Sequence, residues 1–102
     1  MEFGLFKITT ATTTTLIAKG QKAGNVKSVR ITNAHDTSII FVSLFLDDDT
    51  NQTYFFKKNI LYPGQSIFLD SGVSFNNAAL GLKLTTEVVS TGDAVNTNVI
   101  VK

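Results

Sequence analysis

Three clusters of side chains in this sequence could carry chemistry. The first is Asp47-Asp48-Asp49-Thr50-Asn51. Alternating oxygen ligands can converge on a hard cation, and Asp47, Asp49 and Asn51 take positions one, three and five of a calcium-loop pattern. The glycine that should follow is Gln52, and the closing glutamate is Lys58. A polar hairpin turn therefore explains the run better, and no metal is expected. The second cluster is His35-Asp36, an imidazole beside a carboxylate. A general base and its orienting group must converge on a nucleophile in space, which adjacency along the chain does not provide. Ser38 and Ser43 are close in sequence, yet neither sits in a nucleophile-elbow motif. Turn chemistry accounts for Asn33-Ala34-His35-Asp36.

The third cluster is aromatic: Tyr54, Phe55, Phe56 and Tyr62. Such rings can stack on sugars or bases, or they can fill a core. Alternation along a strand puts Tyr54 and Phe56 on one face and Phe55 on the other. Tyr54, Phe56 and Tyr62 are thus the candidate ligand platform, with core or contact packing as the competing role. The chain has no cysteine and a single histidine. Disulfides, thiolate zinc sites and thiol nucleophiles are excluded, and a transition-metal site is disfavoured. No glycine-rich phosphate loop precedes a helix. No enzymatic activity and no cofactor are expected.

The elements that would position these residues are strands. Threonine, valine, isoleucine and phenylalanine are prominent, and no long window has apolar residues at helical spacing. Strands are predicted over Phe3 to Thr9, Thr14 to Ala18, Val26 to Asn33, Ser38 to Leu46, Gln52 to Lys58 with a continuation over Ile60 to Tyr62, Ser66 to Asp70, a leucine segment around Leu80 to Thr85, and Asn98 to Lys102. Tyr62-Pro63-Gly64-Gln65 is a strong turn signal, because proline presets φ and glycine permits φ > 0. About eight strands at short intervals predict an all-β antiparallel sandwich, immunoglobulin-like or jelly-roll. Residues 1–102 read as one domain, with 1–13 an N-terminal strand or arm.

The strand around Ile39 to Leu46 is apolar on both faces. Ile40, Val42, Leu44 and Leu46 would line the core. Ile39, Phe41 and Phe45 would line the opposite face, which a small sandwich does not need to bury. That face is the first candidate for contact with another chain. Phe3 and Phe6 are the second, through an N-terminal strand that adds to a neighbour's sheet.

Formal net charge is +1 and the charges are scattered, unlike the concentrated basic patch of a nucleic-acid binder. The longest apolar run is far short of the roughly 20 residues that span a bilayer, and Met1 to Lys7 lacks the pattern of a signal peptide. Neither nucleic acid nor membrane is an expected partner.

The order of motifs is informative. Val29-Arg30-Ile31-Thr32-Asn33, Val42-Ser43-Leu44-Phe45-Leu46 and Tyr54-Phe55-Phe56-Lys57-Lys58 precede Ile60-Leu61-Tyr62-Pro63-Gly64-Gln65-Ser66-Ile67-Phe68-Leu69. This pattern resembles small β-sandwich virion proteins of tailed bacteriophages, especially of marine and cyanobacterial phages. It covers roughly residues 9 to 102, and it departs at the end, where Gly92-Asp93 follows the leucine segment. The resemblance implies a non-enzymatic virion part: a capsid decoration or cement protein, a head–tail neck component or a tail accessory. It also implies capsid, neck or tail proteins as partners, homo-oligomerisation, and assembly in the host cytoplasm. A carbohydrate- or receptor-binding module of a tail or fibre is the alternative.

Overall fold

Alternating apolar residues build the strands, and the strands build two layers. The computed structural model describes residues 4–20, 26–70, 75, 79–89 and 94–102. Within them lie β1 (Gly4–Ile8), β2 (Thr13–Ile17), β3 (Val29–Asn33), β4 (Ile40–Asp47), β5 (Gln52–Leu61), β6 (Ser66–Leu69), β7 (Gly81–Val88) and β8 (Thr97–Val101). The first sheet has the order β1-β8-β3-β6 and the second β2-β7-β4-β5, with every neighbouring pair antiparallel.

The pairing has a simple logic. Strand β4 pairs with β5, β3 with β6, β2 with β7 and β1 with β8. The chain is thus one long antiparallel hairpin with its tip between Asp47 and Gln52. Rolling that hairpin up adds the pairs β3 with β8 and β4 with β7. This is jelly-roll order. The immunoglobulin-like alternative is set aside, because that sandwich groups strands A, B, E and D against C, F and G.

The core lies between the sheets. Val29, Ile31, Val99 and Val101 face inward from the first sheet, and Ile40, Val42, Leu44, Leu82 and Leu84 from the second. Burial of that kind contributes about 1.5–3 kcal/mol per large aliphatic side chain. Gly81 marks a close approach. A Cβ there would stand 3.1 Å from both the Ile17 carbonyl oxygen and the Lys19 nitrogen, which are backbone atoms and cannot swing away. Gly64 takes φ 79° in the predicted turn, where Gln65 N donates to Tyr62 O at 3.0 Å.

Strand β5 differs from expectation in being continuous. The predicted break between Lys58 and Ile60 is absorbed by register shifts against β4, between Val42 and Leu44 and again between Leu44 and Phe45. Lys58 sits at φ 53°, and its N–H donates to Ser43 Oγ at 2.9 Å. The buried Ser43 hydroxyl therefore satisfies a backbone donor that the bulge has taken out of the ladder. Bulges, Lys57 and Lys58 together make this edge a poor template for further strand pairing.

Candidate functional site: the two outer sheet faces

In the second sheet, β4 sends Ile40, Val42 and Leu44 inward and Phe41, Ser43 and Phe45 outward. The predicted contact face divides in two. Phe45 is only 3% exposed. Tyr54 lies beside it, with ring centroids 5.1 Å apart and planes tilted by 41°. On its other side Phe45 pairs with Lys83, whose Nζ reaches Asp47 Oδ2 at 2.8 Å. The chain's own side chains cover Phe45, so it leaves the set of exposed contact residues. Ile39 and Phe41 remain half-buried. Ile60 stands opposite Phe41, and the Val89 N–H donates to the Ile39 carbonyl at 3.4 Å. Ile60 and Val89 are each 47% exposed. Ile39, Phe41, Ile60 and Val89 thus share one end of this outer face. Sequence reasoning missed Ile60 and Val89. Their apolar neighbours Leu61 and Val88, which pack on the core, are the signal in the alternation that would have placed them outward.

The bulges also rearrange the aromatic cluster. Phe56 stands opposite Leu44 and packs on the core, as does Phe55, whereas Tyr54 stands opposite Phe45 on the outside. Tyr54 and Phe56 therefore occupy opposite faces, contrary to simple alternation. Tyr54 is 37% exposed and Tyr62 53%. Tyr54 OH donates to Gln52 Oε1 at 3.0 Å, and Lys57 Nζ lies 5.0 Å from the Tyr54 ring centroid. Six residue steps along β4 separate the two tyrosines, or about 20 Å.

The first sheet has an outer face of its own. Phe6 faces inward and packs on the core, while Leu5 points outward and is 68% exposed. Phe3 lies outside the described residues. Leu5 pairs with Ile100, Ile100 with Arg30, and Arg30 with Phe68. One row thus crosses all four strands. The Arg30 guanidinium sits 4.9 Å over the Phe68 ring, and Phe68 is 51% exposed. Two hollows flank Ile100. One of about 150 Å³ is lined by Ser28, Arg30, Phe68, Ile100 and Lys102, and one of about 320 Å³ by Leu5, Phe6, Lys7, Asn98, Val99 and Ile100.

The polar clusters are engaged in structure. In the hairpin tip, Asp47 Oδ1 accepts the Asp49 N–H at 2.9 Å, and Asp48 Oδ1 accepts those of Thr50 and Asn51. Asp49, at φ 75°, pairs with Lys19 at 3.2 Å. The Lys83 ammonium and then the Asp49 N–H hold the Asp47 carboxyl below its ordinary value. The Asn51 and Thr50 N–H groups do the same for Asp48. Among the described residues no group of three or more His, Asp or Glu is placed to hold a metal ion. His35 Nδ1 accepts the N–H groups of Thr37 at 3.1 Å and Ser38 at 2.9 Å. The imidazole is thereby an acceptor within its own turn.

No protein-family model and no curated protein matches this chain. Among solved structures, a chain of the one titled "Structure of infectious bursal disease virus Gt strain" is similar, with a TM-score of 0.41 and 10% identity. The match covers 99% of this chain and 27% of that one. A likeness of that extent carries no argument about function.

Proposed function

We propose that this chain is a non-enzymatic structural protein of a tailed-phage virion, a capsid decoration or cement protein or a head–tail neck accessory. It docks on other virion proteins, and on copies of itself, through hydrophobic strand surfaces. Assembly takes place in the host cytoplasm. The observation that carries this reading is the apolar end of the second sheet's outer face: Ile39, Phe41, Ile60 and Val89, with Ile60 and Val89 each 47% exposed. Glu87 stands beside Phe41 in the register and puts a carboxylate at the edge of this patch. An exposed apolar area with a polar rim suits burial against another protein. The motif order shared with phage virion proteins points the same way. Jelly rolls occur in capsid domains and in lectins alike, so the fold by itself does not choose between these roles.

The test is a Phe41→Asp variant together with quantification of the chain in purified phage particles. The chain should be present at a fixed copy number per particle. The variant should keep its fold, judged by thermal melting, and fail to incorporate or self-associate. A variant that unfolds makes Phe41 a core residue, and absence from particles overturns the virion role.

A glycan-binding reading draws on the exposure of Tyr54 and Tyr62. Their separation of about 20 Å exceeds one sugar ring and demands an extended oligosaccharide. Silence on a glycan array would dispose of it.

A further inference from the structure

We infer that the outer face of the first sheet is a second docking surface, specific for an acidic protein segment that also carries apolar side chains. This goes beyond the docking role of the second sheet by giving the opposite face its own occupant. It stands or falls on the isolated chain, whatever the fate of the virion reading.

Charge is the first argument. Lys7, Arg30 and Lys102 all belong to this face, and none makes an ion pair among the described residues. Asp70, just beyond β6, is the nearby carboxylate, so cations prevail locally. On the whole chain the formal net charge is only +1. The side chains of Lys7, Arg30, Lys102 and Asp70 together carry +2, so this face holds a local excess of positive charge.

Apolar exposure in register is the second argument. Leu5 at 68% and Phe68 at 51% exposure end a row that Ile100 and Arg30 complete. Stacking on Phe68 holds the Arg30 guanidinium in place and leaves its N–H edges open for a carboxylate. The hollows on either side of Ile100 can accept small apolar side chains. A partner therefore needs carboxylates to meet Lys7, Arg30 and Lys102, and apolar groups to cover Leu5, Ile100 and Phe68. A second copy of the same face fails this requirement, because two-fold pairing sets the same cations against one another.

The experiment uses the full chain, isotope-labelled for NMR, and a short peptide alternating glutamate and leucine. A peptide with lysine in place of glutamate is the control. The acidic peptide should shift resonances of β1, β3, β6 and β8, and its affinity should fall several-fold as salt rises from about 0.05 M to about 0.3 M. Arg30→Glu should weaken it about tenfold or more. Lys7→Glu, which leaves the Phe68 stack untouched, should weaken it in the same direction. Lys57→Glu, an exposed charge reversal on β5 of the other sheet, should leave binding unchanged. Equal shifts from both peptides, shifts confined to the second sheet, or no shifts overturn the inference. So do equal shifts from inorganic phosphate or an oligonucleotide, which would mark a general anion surface. A dimer that Leu5→Glu dissociates would make the occupant a second copy and overturn it too.

Discussion

Asn33 donates a hydrogen bond from Nδ2 to the Leu61 carbonyl at 3.0 Å, tying the end of β3 in one sheet to the end of β5 in the other. The same amide donates to Ser38 O at 2.8 Å, and Oδ1 accepts the His35 N–H at 3.2 Å. Backbone bonds join in: Asn33 N donates to Gln65 O at 2.9 Å, and Gly64 N donates to Asn33 O at 2.8 Å. A fully buried amide thus closes the loop after β3 and the turn after β5 at once.

Asn33→Ala should destabilise the fold by about 2–4 kcal/mol, because the Ser38 and Leu61 carbonyls lose their buried donor. Asn33→Asp should cost at least as much at neutral pH, since an ionised carboxylate faces two carbonyl oxygens. Its folded-state pKa would be raised, so its stability should recover as pH falls and the protonated form regains one donor. Chemical denaturation across pH checks both. A loss under about 1 kcal/mol for the alanine variant would mean that this amide is not the tie between the sheets.

Two buried threonines make a contrast. Thr86 Oγ1 lies 3.1 Å from Thr10 O and 3.2 Å from Thr12 O, as donor, and accepts the Thr12 N–H at 3.3 Å. Thr97 is fully buried and its Oγ1 has no hydrogen-bond partner among the described residues. Replacing a hydroxyl by a methyl should therefore have opposite consequences at the two sites. Thr86→Val should cost about 1–2 kcal/mol, and Thr97→Val should be neutral or stabilise by up to about 1 kcal/mol. Melting temperatures that fall equally for both would contradict the assignment.

Much of this fold was legible in the residues, for physical reasons that also mark where reading stops. Val29, Ile31 and Asn33 share a parity, so the inward turn of Asn33 follows from alternation. The polar residue at a core position was a signal available in the sequence. The β5 bulges were not available in that way. No glycine marks the extra residues between Gln52 and Leu61, and the cause is a tertiary contact, Ser43 Oγ on Lys58 N. Hence the two faces of Tyr54 and Phe56 were beyond simple alternation. The Leu5, Ile100, Arg30 and Phe68 row was hidden differently. Each of its residues looks ordinary in its own strand, and the row exists only once both ends of the chain pair in register.

Acid stability should depend on Asp47. Lys83 and the Asp49 N–H lower the Asp47 pKa below the ordinary 3.8. A depressed carboxylate contributes stability above its unfolded pKa, and that contribution is lost as pH falls through the lower folded value. Asp47→Asn should therefore flatten the acid limb of the stability curve. Asp47 in turn raises the Lys83 pKa above 10.5, so the lysine's contribution is full below that value and lost as pH climbs through the folded one. Lys83→Met should let the Asp47 pKa rise, because its largest cause is gone. Carboxyl NMR titration of Asp47 in the variant reads this directly, and an unmoved midpoint would show that the ion pair does not set it.

Phe45 and Phe41 lie four residues apart on the same outer face and should behave differently. Phe45 is 3% exposed beneath Tyr54, so Phe45→Ala removes packing as a core substitution does and should cost about 3 kcal/mol. Tyr54→Ala should cost less, and the double variant should reveal a coupling of about 0.5–1.5 kcal/mol from the tilted ring pair. Phe41 has the half-exposed Ile60 beside it and Glu87 on its other side. Phe41→Ser should therefore cost clearly less than Phe45→Ala in denaturation, while lowering the sedimentation coefficient of any self-associated species. If both substitutions cost the same and association is unaltered, the chain's own side chains cover Phe41 as fully as Phe45, and this end of the sheet is not a contact surface.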